Sequence, residues 1–263
     1  MRTHFFNALA RRRSLHVISH ERSGTHLALN LFYRNLYIRQ NFYDMAVWRG
    51  PYTDAADAFN HWRGFRQLWD AGWMDSGGLV KSHCEASVFR RFFPKEKVIY
   101  VLRDPRDTLV SFFHYLNHPA LYENNPWMAD QRCANFQEFL TRPLSDFLRW
   151  GFSFEGAANN VMERWANHVR GWMDDPHAKI LLYDDLIENY RRTMYSTALA
   201  VGAFPKLNMS PVRFGEGKTI LPRKGKSGDW KNYFSREDEV ELSEVLKARM
   251  LNFQMKDAFG LVR

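Results

Sequence analysis

Between Lys97 and Leu102 the chain reads KVIYVL, five apolar residues in succession behind one lysine. A run this short and unbroken fits a strand buried on both faces, as inside a parallel sheet. Three more short runs resemble it: Leu15 to Ile18, Leu79 to His83 and Lys179 to Tyr183. Helical patterns stand between them, at about Thr25 to Ile38, Ser87 to Phe93, Arg106 to Tyr115, Asn135 to Leu148 and Ala157 to Asp174. Another runs from Asp184 and Asp185 to about Val201, where Gly202 closes it. Strands alternating with helices predict an α/β domain, a central parallel β-sheet flanked by helices. In such a sheet ligands sit beyond the carboxyl ends of the strands. Arg22, His83, Arg103 and Tyr183 each fall at or just past such an end.

The first strand turns through Ser19, His20, Glu21, Arg22, Ser23 and Gly24 into a helix that opens at Thr25. That turn aims backbone N–H groups and the positive helix end at one point, which suits a phosphate or sulfate. Arg22 adds a fixed positive charge, and Ser23 and Thr25 add hydroxyl donors. The spacing is not that of a nucleotide-triphosphate loop, G-x-x-x-x-G-K-[ST]. The cation precedes the single glycine, and nothing in the loop requires magnesium. Taken alone, R-S-G-T also reads as an ordinary strand–helix turn.

A second anion site is predicted at Arg103. Asp104 is a good helix cap, Pro105 fits the first helical position, and Ser111 lies about two turns further on the same face. Lys81 and His83, two positions apart, project to one side if their strand continues through both. Near the C-terminus, Arg223 to Asn232 is basic and glycine-rich, a pattern for a phosphate clamp or for a basic surface loop.

The length of 263 residues and the 45% apolar content permit one large core, so the chain is read as a single domain over 1–263. Residues 1–14 form a basic N-terminal extension with no secretory pattern, and 117–132 reads as a loop or lid. No uncharged apolar stretch reaches the length of a membrane span. Cys84 and Cys133 have no metal-type spacing and read as free thiols, so a cytoplasmic location is expected. The net charge of +8 suits an anionic ligand, nucleic acid or membrane surface without choosing among them. The aromatic series between Phe42 and Trp73 has too few interleaved cations for a nucleic-acid platform and could line an apolar acceptor site.

Three segments together resemble the sulfotransferases that use 3′-phosphoadenosine 5′-phosphosulfate (PAPS), the cytosolic type in particular. The family's P-K-S-G-T-T-W loop corresponds to the stretch His20 to Leu27. Its Y-V-x-R-N-P-K-D-x-x-V-S corresponds to Tyr100 to Ser111. Its R-K-G-x-x-G-D-W-K-N is whole at Arg223 to Asn232, and its K-T-H corresponds to Lys81-Ser82-His83. The resemblance implies a P-loop-like α/β fold and an enzyme that moves a sulfuryl group from PAPS to an acceptor hydroxyl on a phenol, alcohol, lipid or glycan. The product is the bisphosphate PAP, and no metal takes part. Arg22, Ser23, Gly24 and Thr25 would hold the 5′-phosphosulfate. Arg103, Ser111, Arg223, Lys224 and Gly225 would hold the 3′-phosphate, and Tyr183 would contact adenine. His83 corresponds to the general base, Lys81 to the lysine that positions the sulfuryl group, and Arg22 to the cation facing the leaving oxygen.

Three departures stand out. Arg22 replaces a lysine and cannot readily donate a proton. Leu27 replaces the tryptophan that stacks on adenine. The dimer signature expected from Lys231 onward has Ser235-Arg236 for Thr-Val and Val240 for Glu, so it is not intact. Two other readings share some of these features. A P-loop kinase would need the full triphosphate loop, and a non-catalytic nucleic-acid binder would be indifferent to His83 and steeply salt-dependent.

Overall fold

The computed structural model describes residues 14–39, 42–44, 78–124, 129, 131–150, 158–212 and 227–250. Five parallel strands form the main sheet: β1 (Leu15–Ser19), β3 (Phe42–Asp44), β4 (Leu79–Ser82), β5 (Val98–Leu102) and β6 (Ala178–Leu182). Their order is β3-β4-β1-β5-β6, which puts β1 in the middle. There His16 lies between Val80 and Val98. Every residue of β1, β4 and β5 is buried, whereas the edge strand β6 is partly open. The predicted doubly covered parallel sheet is therefore the observed one. The sequence pattern missed β3, at three residues too short to show a period. It also missed a second sheet, in which β2 (Leu36–Tyr37) pairs antiparallel with β7 (Phe204–Pro205).

Side chains alternate across the main sheet as a strand dictates. Ile18, Val80, Val98, Tyr100 and Leu102 face one core layer. It is closed by α2 (Ala86–Phe92), α3 (Pro105–Leu116), α5 (Phe136–Thr141) and α7 (Val161–Met173). Leu15, Val17, Leu79, Ile99, Val101 and Leu181 face the other. It is closed by α1 (Thr25–Asn35), α8 (Tyr183–Glu188) and α9 (Tyr190–Val201). The fold is thus three layers, with the carboxyl ends of β1, β4, β5 and β6 at one rim.

Several predicted helices are subdivided. The segment 135–148 splits into α5 and α6 (Asp146–Trp150) around Pro143, which cannot continue a helix. The helix expected from Asp184 breaks at Asn189 into α8 and α9. The predicted loop 117–132 carries α4 (Pro119–Asn124). The last helix is α10 (Arg236–Met250). Among the described residues no helix is long and apolar enough to cross a membrane.

Candidate active site

The loop from β1 to α1 has two left-handed residues. Gly24 has φ +97° and Arg22 has φ +66°. For a non-glycine residue that conformation costs about 1–3 kcal/mol and persists only where its surroundings impose it. Here Arg103 Nη1 donates to the Arg22 carbonyl (3.3 Å). Behind the loop, the carboxylate of Glu21 is gripped by Arg164 through two bonds of 2.7 and 3.0 Å. Burial alone would raise the Glu21 carboxyl. The charge and hydrogen bonds of Arg164 reverse that and hold it below its ordinary value. Arg164 Nη1 also donates to His20 Nε2 (3.0 Å), so His20 Nδ1–H donates to the Glu21 carbonyl (3.1 Å).

The helix α1 that follows has no side-chain cap and no acid in its first turn. An uncapped N-terminus behind a tight loop fits an anion. Ser23 and Thr25 are buried, and the hydroxyl of Thr25 bonds to that of Ser19. The Arg22 guanidinium reaches across to Ser111 Oγ on α3 (Nε to Oγ 3.4 Å) and lies 5.0 Å from the Tyr115 ring centroid.

β4 stops at Ser82, one residue before the imidazole that the sequence singles out. His83 Nδ1 lies 2.8 Å from the carbonyl oxygen of Ser19. A carbonyl only accepts, so the proton sits on Nδ1 and the lone pair is on Nε2. Burial, reinforced by the charge of Lys81, holds the His83 pKa well below 6.5. The His83 ring just past β4 is therefore tied to the end of β1, neutral, with its Nε2 lone pair left over. Lys81 is itself buried and electrostatically coupled to this ring.

At the end of β5, Arg103 is buried, and its guanidinium carbon lies 4.3 Å from the ring centroid of Tyr183, the residue that opens α8. The same ring covers Gly24: a Cβ there would lie 2.3 Å from Tyr183 Cδ2 and 2.6 Å from Cε2. Asp104 caps α3 by accepting from the Arg106 backbone N–H (2.8 Å), with Pro105 in the first turn, as the sequence predicts. Asp107, in the first turn of α3, accepts from the backbone N–H groups of Gly228 (2.7 Å) and Trp230 (3.3 Å). Arg106 stacks on Trp230, its guanidinium carbon 3.6 Å from the ring centroid. The end of the basic C-terminal segment is thus docked beside Arg103.

Arg22, Ser23, Gly24, Thr25, Lys81, His83, Arg103, Ser111 and Tyr183 all come together at the sheet rim. Arg223, Lys224 and Gly225 lie outside the described residues, as does most of the aromatic series from Phe42 to Trp73. Sequence reasoning missed Glu21, Tyr100, Arg164, His168 and Asp107. A usable signal was present: Arg164, His168 and Trp172 recur every four residues in phase with the apolar stripe of α7, and all three are buried.

The fold and its rim can be set beside known proteins. The chain is 28% identical over 176 residues to Sulfotransferase 6B1 of Danio rerio, covering 60% of this chain and 53% of that protein. It is 26% identical over 230 residues to 3-alpha-hydroxysteroid sulfotransferase of Cavia porcellus, covering 72% and 73%. The chain spans about half the length of the Sulfotransferase 6B1 relatives it matches. The crystal structure of mouse sulfotransferase SULT7A1 complexed with PAP shares the fold, with a TM-score of 0.60 at 17% identity over 96% of this chain and 91% of that one. The family model described as the sulfotransferase domain matches residues 13–202, well over half of the sequence, and the chain belongs to that family.

Proposed function

We propose that this chain transfers the sulfuryl group of PAPS to a hydroxyl of an acceptor. The observation that carries the reading is the meeting, at one rim, of an uncapped helix start, the cations Arg22 and Arg103, and a neutral imidazole whose lone pair is fixed on Nε2. His83 Nε2 takes the proton of the incoming hydroxyl, which is a poor nucleophile until it loses it. Arg22 faces the oxygen of the leaving phosphate and balances the negative charge that grows there as the S–O bond breaks. Because an arginine keeps its proton, the leaving oxygen departs as an anion stabilised by charge. Lys81, next to the base, orients the sulfuryl oxygens in line between the two. The start of α1, with Ser23 and Thr25, holds the 5′-phosphosulfate.

Arg103 and Ser111 hold the 3′-phosphate, joined by Arg223, Lys224 and Gly225 from the segment docked on Asp107. Tyr183 supports the adenine side by packing on Gly24. The guinea-pig relative's name records a steroid acceptor. A neutral imidazole is available to accept a proton at neutral pH whichever class of hydroxyl it meets. Residues 117–132 close over that acceptor. The deciding experiment is thermal shift with PAP against ATP plus magnesium, followed by radiolabel transfer from PAPS to a panel of phenols, sterols, lipids and sugars. PAP should stabilise the protein, ATP with magnesium should not, and label should appear on one acceptor class. Stabilisation by ATP with magnesium alone would overturn the reading.

A further inference from the structure

We propose that His168, acting with Tyr100, is a positioning residue for His83, locking the strand end that carries the base to the loop that carries Arg22. The inference rests on the function proposed above. Its geometry stands in the hydrogen bonds. His168 Nε2 lies 3.0 Å from the carbonyl oxygen of His83, and its Nδ1 lies 2.9 Å from the Tyr100 hydroxyl. The carbonyl only accepts, so Nε2 carries the proton and Nδ1 must accept from Tyr100 O–H. The His168 ring also packs edge-on against the ring of His20, 5.4 Å between centroids, at the start of the loop that carries Arg22. His83 Nδ1–H then donates to the carbonyl of Ser19.

These bonds form one chain. It runs from the Tyr100 hydroxyl through His168 to the His83 carbonyl, and from the His83 ring on to the Ser19 carbonyl. Each donor in it has one available acceptor, so no bond can reverse without breaking its neighbours, and such chains strengthen cooperatively. All of it is shielded from water. His168, Tyr100 and His20 are at most 1% exposed. Trp172, one turn beyond His168, fixes the next carbonyl, that of Cys84, at 3.0 Å.

The chain requires His168 to be neutral, with Nδ1 accepting and Nε2 donating. Burial, then the nearby His20, push its pKa down to about 3, against a smaller opposing effect of Glu21. His83 faces Lys81, Glu21 and His26, and His168 faces His20, Glu21 and Arg164. The catalytic consequence is tautomeric. Only the Nδ1–H form of His83 leaves Nε2 free to accept, and that form persists only while the His83 backbone stays within reach of Ser19. His168 holds that backbone.

The test compares His168→Phe, which keeps a ring but loses the donor, with His168→Gln, whose amide can donate to the same carbonyl, and with Tyr100→Phe. The readouts are kcat and KM for PAPS, PAP affinity by calorimetry, and the nitrogen-15 signals of the His83 imidazole. For His168→Phe, kcat should fall on the order of 30-fold, the scale of a small misplacement of a reacting group. KM and PAP affinity should stay near wild type, and His83 should pass from one tautomer to a mixture. His168→Gln should recover most of the rate, and Tyr100→Phe should show a milder loss of the same kind. If His168→Phe does not fold, the other two variants carry the comparison. Unchanged kcat with an unchanged His83 tautomer would overturn the proposal. So would equal damage from Gln and Phe, or PAP affinity falling in step with kcat. Should the wild type bind no PAP and turn over no PAPS, the function fails, while the nitrogen-15 signals still decide whether His168 sets the tautomer.

Discussion

At Gly24 a single methyl group is too much. Its Cβ would overlap the Tyr183 ring at 2.3 Å, and the backbone there has φ +97°. Gly24→Ala should therefore lose about 1–3 kcal/mol of stability in denaturant titration, the cost of imposing such a conformation, and should weaken PAP binding as the ring shifts. Adding Tyr183→Ala would remove the clash but leave the backbone cost, so the loss in the double variant should be smaller than the sum of the two single losses. At His83 the outcome is chemical. His83→Ala should reduce turnover about a thousandfold, the middle of the range for a lost general base, while PAP affinity is largely kept. Because burial and Lys81 hold the wild-type imidazole well below 6.5, the acid limb of kcat/KM should lie below that pH. A limb centred at 6.5 or above would contradict the assigned environment.

One helix does most of the bracing. Arg164, His168 and Trp172 project from one face of α7 to Glu21, to His83 and to Cys84, so a single rigid element holds the ends of two strands. Arg164→Leu should destabilise by about 3 to 5 kcal/mol, because it leaves the Glu21 carboxylate buried without its partner. Pairing it with Glu21→Leu should recover much of that loss, and urea titration of the three proteins measures both. On α3, Asp107→Ala removes the acceptor for two backbone N–H groups of the C-terminal segment. It should weaken binding of PAP more than of the nucleotide lacking the 3′-phosphate. Equal losses would disconnect that segment from the 3′-phosphate. These elements also show what was legible beforehand. The run VIYVL, the cap-and-proline start at Asp104-Pro105 and the turn into Thr25 are local patterns, and each formed where expected. The Glu21–Arg164 pair spans 143 positions, and His168 reaches His83 across 85. Such partners follow from tertiary packing, which periodicity along one helix indicates only as a polar residue out of place. The left-handed Arg22 had no local signal at all, since the bond that holds its carbonyl comes from Arg103, 81 positions away.

Across the whole molecule, the buried imidazoles make folding sensitive to acid earlier than its carboxylates do. His20, His83 and His168 are all held below 6.5, burial being the largest cause for each, so the folded chain keeps them neutral. In the unfolded chain each takes up a proton as the pH falls through about 6.5. The unfolded state then binds up to three more protons than the folded one. Stability is complete above that pH, falls below it, and stops falling only when the folded groups themselves titrate, near 3 for His168. Glu21, whose folded pKa is depressed, adds loss of the same sign, but only below its ordinary value of 4.5. Denaturant titrations between pH 7.5 and 5 should give an unfolding free energy that declines toward about 4 kcal/mol per pH unit, the limit for three protons. His168→Gln, which removes one titrating ring while keeping its donor, should lower that limiting slope by a third. A wild-type stability that stays level from pH 7.5 to 5 would mean that these rings are not sealed from water, and the neutral hydrogen-bonded chain behind His83 would fall with it.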